Sequence, residues 1–224
     1  MGRIRSASLG FLVILGLGMM PEAAQATGSV SATPALFGTS EIRSTGMGSF
    51  TNWTGVLARF RQNQTLGAGL CASAGPGPRG CQWDEWQGIV ARLRGRPAIE
   101  QLREVNRTMN SHRYILDRVN WGMEDYWATV FEFLRKNGDC EDYAISKYVT
   151  LRALGWPAEK LRIVILRDTK LDLNHAVLAA YTEEGIYIGD NQVSSIVKAD
   201  RIRHYKPIYS INENAWWLHR PQTR

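Results

Sequence analysis

The sequence lacks the features of several large classes of protein. Its 224 residues include only three cysteines, too few for a small domain held together by many disulfides. It has a single apolar run, which is too short to cross a bilayer, so a polytopic membrane protein is excluded. No basic stripe with interleaved aromatic residues occurs, and we expect no nucleic-acid partner. With 44% hydrophobic and 10% aromatic residues, the chain is predicted to be globular rather than disordered.

The apolar run lies at the N-terminus and predicts export. Arg3 and Arg5 precede the apolar stretch Leu9 to Met20, which has the length of a signal-peptide core. Ala24-Gln25-Ala26 then has the small-residue pattern of a cleavage site, so we expect residues 1–26 to be a signal peptide cut after Ala26. The expected location is the periplasm, with a mature chain that is not embedded in the membrane. An uncleaved membrane anchor is the alternative.

The rest of the chain is predicted to form an arm and one domain. Residues 27–50 are rich in Gly, Ser, Thr and Ala, which predicts an irregular arm. Residues 51–224 are expected to form a single domain, helical over about 51–138 and then a helix and an antiparallel sheet over about 139–217. Helices followed by an antiparallel sheet indicate the α+β class.

Apolar periodicity and stop signals predict the elements of this domain. Amphipathic helices are expected to begin in three places: near Asn52, which is predicted to cap the first, near Trp83 and near Ile99. Thr129 and Glu132 have the spacing of a capping box at the start of a further short helix. Runs of β-forming residues predict four strands: Leu161 to Leu166, Ala176 to Tyr181, Ile186 to Gly189 and one near Ile208.

Cys140 opens a helix predicted over Asp139 to Leu154. At the first turn of a helix, free backbone amides and the positive end of the dipole lower the pKa of a thiol and favour the nucleophilic thiolate. A buried apolar cysteine or a disulfide partner is the alternative. Cys71 and Cys81 flank a Gly/Pro loop and are the natural disulfide pair in an exported protein, which would leave Cys140 as a free thiol.

A histidine and an aspartate are predicted to meet at one end of a hairpin. The turn signal Glu183-Glu184-Gly185 separates the second and third predicted strands. With a two-residue loop, His175 and Asp190 are diagonal neighbours on one face, about 7–8 Å apart at the backbone. A carboxylate there would orient the imidazole and stabilise its charged form. A three-residue loop would put the two side chains on opposite faces.

Three carboxylates surround the proposed nucleophile: Asp139, Glu141 and Asp142. Acidic residues at a helix N-terminus also serve as simple caps, which is the structural alternative. Three negative charges so close to Cys140 disfavour a thiolate, however, and a bound cation would offset them. Oxygen ligands suit a hard ion, so we predict a Ca²⁺ site here rather than a Zn²⁺ site.

Motifs across much of the chain resemble a known family. The strongest lie around Cys140 and in the hairpin: Gly138 to Ala144, Lys147-Tyr148, Leu154-Gly155, Asn174 to Val177 and Gly189 to Asn191. Over about residues 36–217 the sequence resembles the bacterial transglutaminase-like cysteine peptidases, of which the LapG-type periplasmic peptidases are the best known. Cys71 and Cys81 are not part of this family pattern.

The resemblance implies a papain/transglutaminase-like fold and a cysteine endopeptidase. It implies Cys140 as the nucleophile, His175 as the general base and Asp190 as the residue that orients it. LapG-type members bind calcium through acidic residues that flank the cysteine, which here match Asp139, Glu141 and Asp142.

The resemblance also implies partners. LapG-type peptidases cut large cell-surface adhesins near a pair of alanines, which releases the adhesin and disperses biofilm. An inner-membrane cyclic-di-GMP receptor sequesters the peptidase when that messenger is abundant. We therefore expect an adhesin as the protein substrate and a receptor of this kind as a partner.

Two other functions fit the same residues. A transglutaminase uses the same triad but resolves the thioester with an amine. A non-enzymatic, calcium-dependent binding module of the cell envelope would keep the fold, although it has no need of Cys140, His175 and Asp190 together.

Overall fold

A computed structural model describes residues 35–74 and 80–222 of the chain. The predicted signal peptide, residues 1–26, and its cleavage site lie outside these ranges. Within them the helices are α1 (Thr51–Leu66), α2 (Gly69–Ala74), α3 (Gln82–Leu93), α4 (Ala98–Asn110), α5 (Asp117–Asn120), α6 (Val130–Lys136) and α7 (Cys140–Ala153). The strands are β1 (Thr39–Ser44), β2 (Leu161–Asp168), β3 (Leu173–Thr182), β4 (Gly185–Gly189), β5 (Val197–Lys198), β6 (Tyr205–Ile211) and β7 (Trp216–Pro221).

All seven of these strands belong to one antiparallel sheet. Their order is β1-β7-β6-β2-β3-β4-β5, and every neighbouring pair is antiparallel. Except for β1, the strands follow the helices in sequence, which confirms the predicted α+β class. None of the helices in the described ranges combines the length and apolar character needed to cross a bilayer.

Successive side chains of each strand point to opposite faces of the sheet. Leu178 and Ala180 of β3 face the helices and belong to the main core. Val177 and Ala179 point to the opposite face and belong to a smaller core that also contains Leu36. The helices therefore cover one face, and the segment that leads into β1 covers part of the other.

Helix α7 is the central helix of the helical layer. Every residue from Glu141 to Leu151 is buried, so this part of the helix has no solvent-facing side. It packs against α4 and α6 on one side and against β3 and β2 on the other. Because its neighbours enclose it, α7 holds its first residue, Cys140, in a fixed place beside β3.

The hairpin register and the start of α6 agree with the sequence predictions. In the hairpin, Thr182 pairs with Gly185 and Leu178 with Gly189, so the loop has two residues. At the start of α6, Thr129 and Glu132 form the predicted capping box, in which each side chain accepts a hydrogen bond from the backbone amide of the other residue.

Two expectations for the N-terminal part differ from the structure. The segment 27–50 was expected to be irregular, and this is wrong for Thr39–Ser44, which form β1 against β7. The inward residues of β1 include Thr39 and Glu41, so the strand shows no alternation of apolar residues in the sequence. Asn52 does not cap α1: Phe50 occupies the N-cap position without a side-chain hydrogen bond, and Asn52 donates through Nδ2 to Oδ2 of Asp125 at 2.7 Å.

Strand β1 is held by a buried ion pair. Glu41 Oε2 lies 2.7 Å from Nη1 of Arg162, and the two side chains are only 2% and 1% exposed. The guanidinium of Arg162 also stacks on Trp217, with Cζ 3.6 Å from the ring centroid. Glu41 Oε1 accepts a hydrogen bond from the backbone amide of Leu36. This pair therefore joins the N-terminal segment to the sheet.

We expect Glu41→Gln to lower the free energy of unfolding by about 3–5 kcal/mol, because Arg162 would remain buried without its counter-charge. Chemical denaturation of the variant and the parent protein measures this loss. Glu100→Gln is the control, since it breaks the exposed pair with Arg96 and should cost no more than about 0.5 kcal/mol. A loss for Glu41→Gln as small as that of the control would contradict the account.

Candidate active site

His175 and Asp190 form a buried hydrogen-bonded pair. His175 Nε2 lies 2.9 Å from Asp190 Oδ1, and each residue is 3% exposed. His175 is on β3, and Asp190 directly follows Gly189, the last residue of β4. The register of the hairpin brings the two side chains together at this end, as the sequence analysis predicts.

Two further groups hold the carboxylate of Asp190. The hydroxyl of Tyr205 donates a hydrogen bond to Oδ2, and the backbone amide of Gln192 donates to Oδ1 at 2.9 Å. Burial raises the pKa of Asp190, but the hydrogen bond and charge of His175, together with these two donors, lower it below its usual value. Asp190 is therefore ionised and fixes Nε2 of the imidazole, which leaves Nδ1 available to a reacting group.

Cys140, at the start of α7, contacts the strand that carries His175. It is partly buried at the start of α7, and its sulfur receives a hydrogen bond from the backbone amide of Ala176, the residue after His175. Its Sγ also donates to Oε2 of Glu141 at 3.3 Å. The thiol therefore lies beside β3 at the residue that follows His175, where α7 packs against this strand.

The other two cysteines form a disulfide. Cys71 in α2 is bonded to Cys81, which immediately precedes α3. Cys140 is the free thiol. The pairing expected from the number and spacing of the cysteines is confirmed.

The carboxylates that flank Cys140 belong to a larger acidic cluster. Asp117, Asp139 and Asp142 each place a carboxylate oxygen within 4.8 Å of the other two, and Asp117, Asp125 and Glu141 do the same. All of these residues except Asp125 are buried. Asp117 and Asp125 were not predicted as metal ligands from the sequence, because they are distant along the chain and no periodic pattern connects them to Cys140.

Backbone amides satisfy only part of this cluster. Asp142 accepts from the amides of Ala128, at 2.6 Å, and Asp139, at 3.3 Å, while Asp139 Oδ2 accepts from the amide of Asp117 at 3.2 Å. The Oδ1 atoms of Asp117 and Asp139 are buried and have no hydrogen-bond donor in the part of the chain that the structure describes. Buried carboxylate oxygens of this kind need a hydrogen-bond donor or a cation.

Burial and mutual repulsion raise the pKa values of the buried carboxyl groups in this cluster. Burial raises the pKa of Asp117 to about 6. It raises that of Glu141 to about 10, with a further contribution from the charges of Asp139 and Asp142. Within each group of three, these oxygens are hard donors close enough to share one ion, and the charge of a divalent cation would offset their repulsion. The donor set therefore fits Ca²⁺.

The same carboxylates act on the thiol. Burial raises the pKa of Cys140 well above its ordinary value, and the negative charge of Glu141 raises it further. The helix N-terminus was expected to lower this pKa. Without a bound cation that expectation is wrong, because desolvation and the nearby carboxylates outweigh the helix dipole.

Gly138 is required by the packing of the acidic cluster. A Cβ at this position would lie 2.1 Å from Oδ2 of Asp142 and 2.7 Å from its Cβ. No other residue can therefore occupy this position unless Asp142 moves. The absence of a side chain at Gly138 allows Asp142 to fold back over the segment before Cys140.

We expect Gly138→Ala to displace the carboxylate of Asp142 and to lower the free energy of unfolding by about 1–3 kcal/mol, the usual cost of overpacking. Chemical denaturation measures the change. Gly88→Ala in α3 is the matched control, because nothing lies within 4 Å of a Cβ there. That variant should gain about 0.5–1 kcal/mol, since alanine is the better helix residue. Unchanged stability of Gly138→Ala would argue against the crowding described.

The fold and the site together define a class of protein. A free thiol at the N-terminus of a buried helix, next to a hydrogen-bonded His–Asp pair on an antiparallel sheet, is an arrangement for nucleophilic acyl chemistry. It occurs in the papain/transglutaminase-like fold that the sequence motifs imply.

Comparison with known proteins identifies the family. Residues 76–221 match the family model described as bacterial transglutaminase-like cysteine proteinase. The match spans more than half of the chain, which therefore belongs to this family and is a cysteine peptidase. Comparison with curated proteins found no match.

Solved structures of LapG from Legionella pneumophila are similar to this chain. The calcium-bound form has 33% sequence identity and a TM-score of 0.60, over 71% of this chain and 87% of that chain. A further LapG structure has 34% identity with the same TM-score and coverage. The EGTA-treated form has 34% identity and a TM-score of 0.60, over 71% of this chain and 84% of that chain.

Proposed function

We propose that this cysteine peptidase is a periplasmic, calcium-dependent endopeptidase with a Cys140–His175–Asp190 triad. The observation that carries the proposal is the hydrogen bond from the amide of Ala176 to the free thiol of α7, one residue after His175 of the buried His175–Asp190 pair. Membership of the family and similarity to LapG support it.

The triad performs acyl transfer in two steps. His175 takes the proton of Cys140 through Nδ1, while Asp190 holds Nε2 and stabilises the resulting imidazolium. The sulfur attacks the peptide carbonyl carbon, and backbone amides in the first turn of α7 stabilise the oxyanion. When the C–N bond breaks, His175 gives its proton to the leaving amine. Water, deprotonated by His175, then cleaves the thioester and restores the thiol.

Replacing the nucleophile should abolish cleavage. We expect residues 27–224 to generate defined new N-termini in surface proteins of the source organism, and Cys140→Ala to generate none. Sequencing of the new termini measures this. A Cys71→Ala, Cys81→Ala double variant is the control and should still cleave, because the disulfide lies outside the triad.

Cleavage that persists in Cys140→Ala would contradict the mechanism. Incorporation of a labelled amine into surface proteins, without any cleavage, would instead indicate a transglutaminase.

We infer that the calcium site is formed by Asp117, Asp139, Glu141 and Asp142, with Asp125 at its exposed edge. The buried, unpartnered oxygens of Asp117 and Asp139 support this assignment. LapG of Legionella pneumophila has structures in a calcium-bound and an EGTA-treated form, which supports calcium as the ion. Calcium would supply the positive charge that this group of buried carboxylates lacks.

Calcium binding should stabilise the folded protein against unfolding. At a concentration one hundred times the Kd, we expect it to raise the free energy of unfolding by about 2.7 kcal/mol over the EGTA-treated protein. Thermal and chemical denaturation measure this. Asp117→Asn should weaken calcium binding by calorimetry, whereas the control Asp172→Asn alters an exposed pair with Arg167 and should not. Equal stability with and without calcium would contradict the site.

We further propose a large cell-surface adhesin as the substrate, whose release disperses biofilm, and an inner-membrane cyclic-di-GMP receptor as the partner that sequesters the enzyme. The motifs around Cys140 and the hairpin support this, since they resemble LapG-type peptidases. The N-terminal pattern over residues 1–26 supports export to the periplasm, where both partners would be reached.

A further inference from the structure

The helix that carries Cys140 also holds the strand end that carries Asp190. Lys147 follows Cys140 by seven residues, which places it two turns further along α7 on the same face. It is 1% exposed, and its Nζ donates to the carbonyl oxygen of Gly189 at 3.3 Å. Burial lowers the pKa of Lys147 to about 7, and the charge of Asp190 opposes this shift.

A second helix holds the loop that follows. Asn110, the last residue of α4, donates through Nδ2 to the carbonyl oxygens of Asp190, at 2.7 Å, and Val193, at 3.0 Å. Asn106, one turn earlier, donates to the carbonyl oxygen of Ser194 at 3.3 Å. Together with Lys147, these side chains attach the backbone of residues 189–194 to α4 and α7.

The packing at Gly189 leaves little room for this attachment to shift. A Cβ on Gly189 would lie 3.2 Å from Oδ1 of Asn106 and 3.7 Å from Cδ of Lys147. The strand end therefore rests directly on both side chains, immediately before Asp190.

Packing alone does not account for a lysine at this position. A buried ammonium group is costly, and Lys147 has no carboxylate at salt-bridge distance among residues 35–74 and 80–222. A methionine would fill a similar volume without that cost. The ammonium group supplies a hydrogen-bond donor to Gly189 and a positive charge close to Asp190.

We propose that Lys147 and Asn110 are positioning residues, which fix Asp190, and through it His175, relative to the Cys140 thiol. The inference rests on the proposed catalytic roles of those three residues. Because Lys147 and Cys140 share one buried helix, the nucleophile and the anchor of the carboxylate keep a constant separation. Loss of the anchor leaves the thiol in place but releases the imidazole from its productive orientation.

The rate at which iodoacetamide alkylates Cys140 tests this directly, because it requires the imidazole as base and no substrate. His175→Ala gives the rate of the thiol without its base. We expect Lys147→Met to react at least about ten-fold more slowly than the parent protein, and Asn110→Ala to be slowed in the same direction. In a peptide-cleavage assay, kcat should fall with an unchanged KM.

Thr150→Val is the matched control for a loss of stability. Thr150 is buried about one turn beyond Lys147 in α7. Its hydroxyl accepts a hydrogen bond from Nε1 of Trp86 and donates one to the carbonyl oxygen of Ser146, and it has no hydrogen bond to the Asp190 loop among the described residues. Its replacement should lower the melting temperature and leave the alkylation rate unchanged. If Lys147→Met does not fold, the alkylation rate of Asn110→Ala tests the proposal instead. Asn110 is only partly buried, so its replacement should leave the protein folded.

The outcomes separate the two proposals. If His175→Ala slows alkylation but Lys147→Met and Asn110→Ala react like the parent protein, the positioning role is wrong and the catalytic triad stands. If His175→Ala reacts as fast as the parent protein, the triad itself is wrong, and the positioning role fails with it.

Discussion

The site depends on the burial of the first turns of α7 between the other helices and the sheet. Because this helix is enclosed from Glu141 to Leu151, its N-terminus is fixed against β3 next to His175. The same burial removes water from the carboxylates of Asp139 and Asp142, which accept hydrogen bonds from backbone amides and belong to the proposed calcium site. One constraint thus positions the thiol of Cys140 and gathers the acidic cluster beside it.

Two buried polar arrangements connect the remaining parts to this helix. On the helical face, Lys147 and Asn110 attach the loop of Asp190 to α7 and α4. On the opposite face, the Glu41–Arg162 pair ties β1 to the sheet. In both places a charged side chain lies where an apolar one would be expected, and it joins neighbouring segments through polar contacts.

The parts of the structure that follow local rules were predictable from the sequence. The two-residue loop determined the register that joins His175 to Asp190, and the N-terminal position of Cys140 followed from the start of α7. Contacts between distant segments were not predictable. Asp117 and Tyr205 reach the site only through tertiary packing, since no local pattern distinguishes Tyr205 from an aromatic core residue. Strand β1 was missed because its inward side chains are polar.

Detection of the covalent intermediate is the most direct test of the central claim. During cleavage of a surface-protein substrate, rapid acid quenching and mass spectrometry should find the N-terminal product joined to Cys140 as a thioester. The adduct should accumulate only when His175 is present, because the pair with Asp190 makes the imidazole the base. Cleavage that proceeds without any adduct on Cys140, or with an adduct on another residue, would contradict the account.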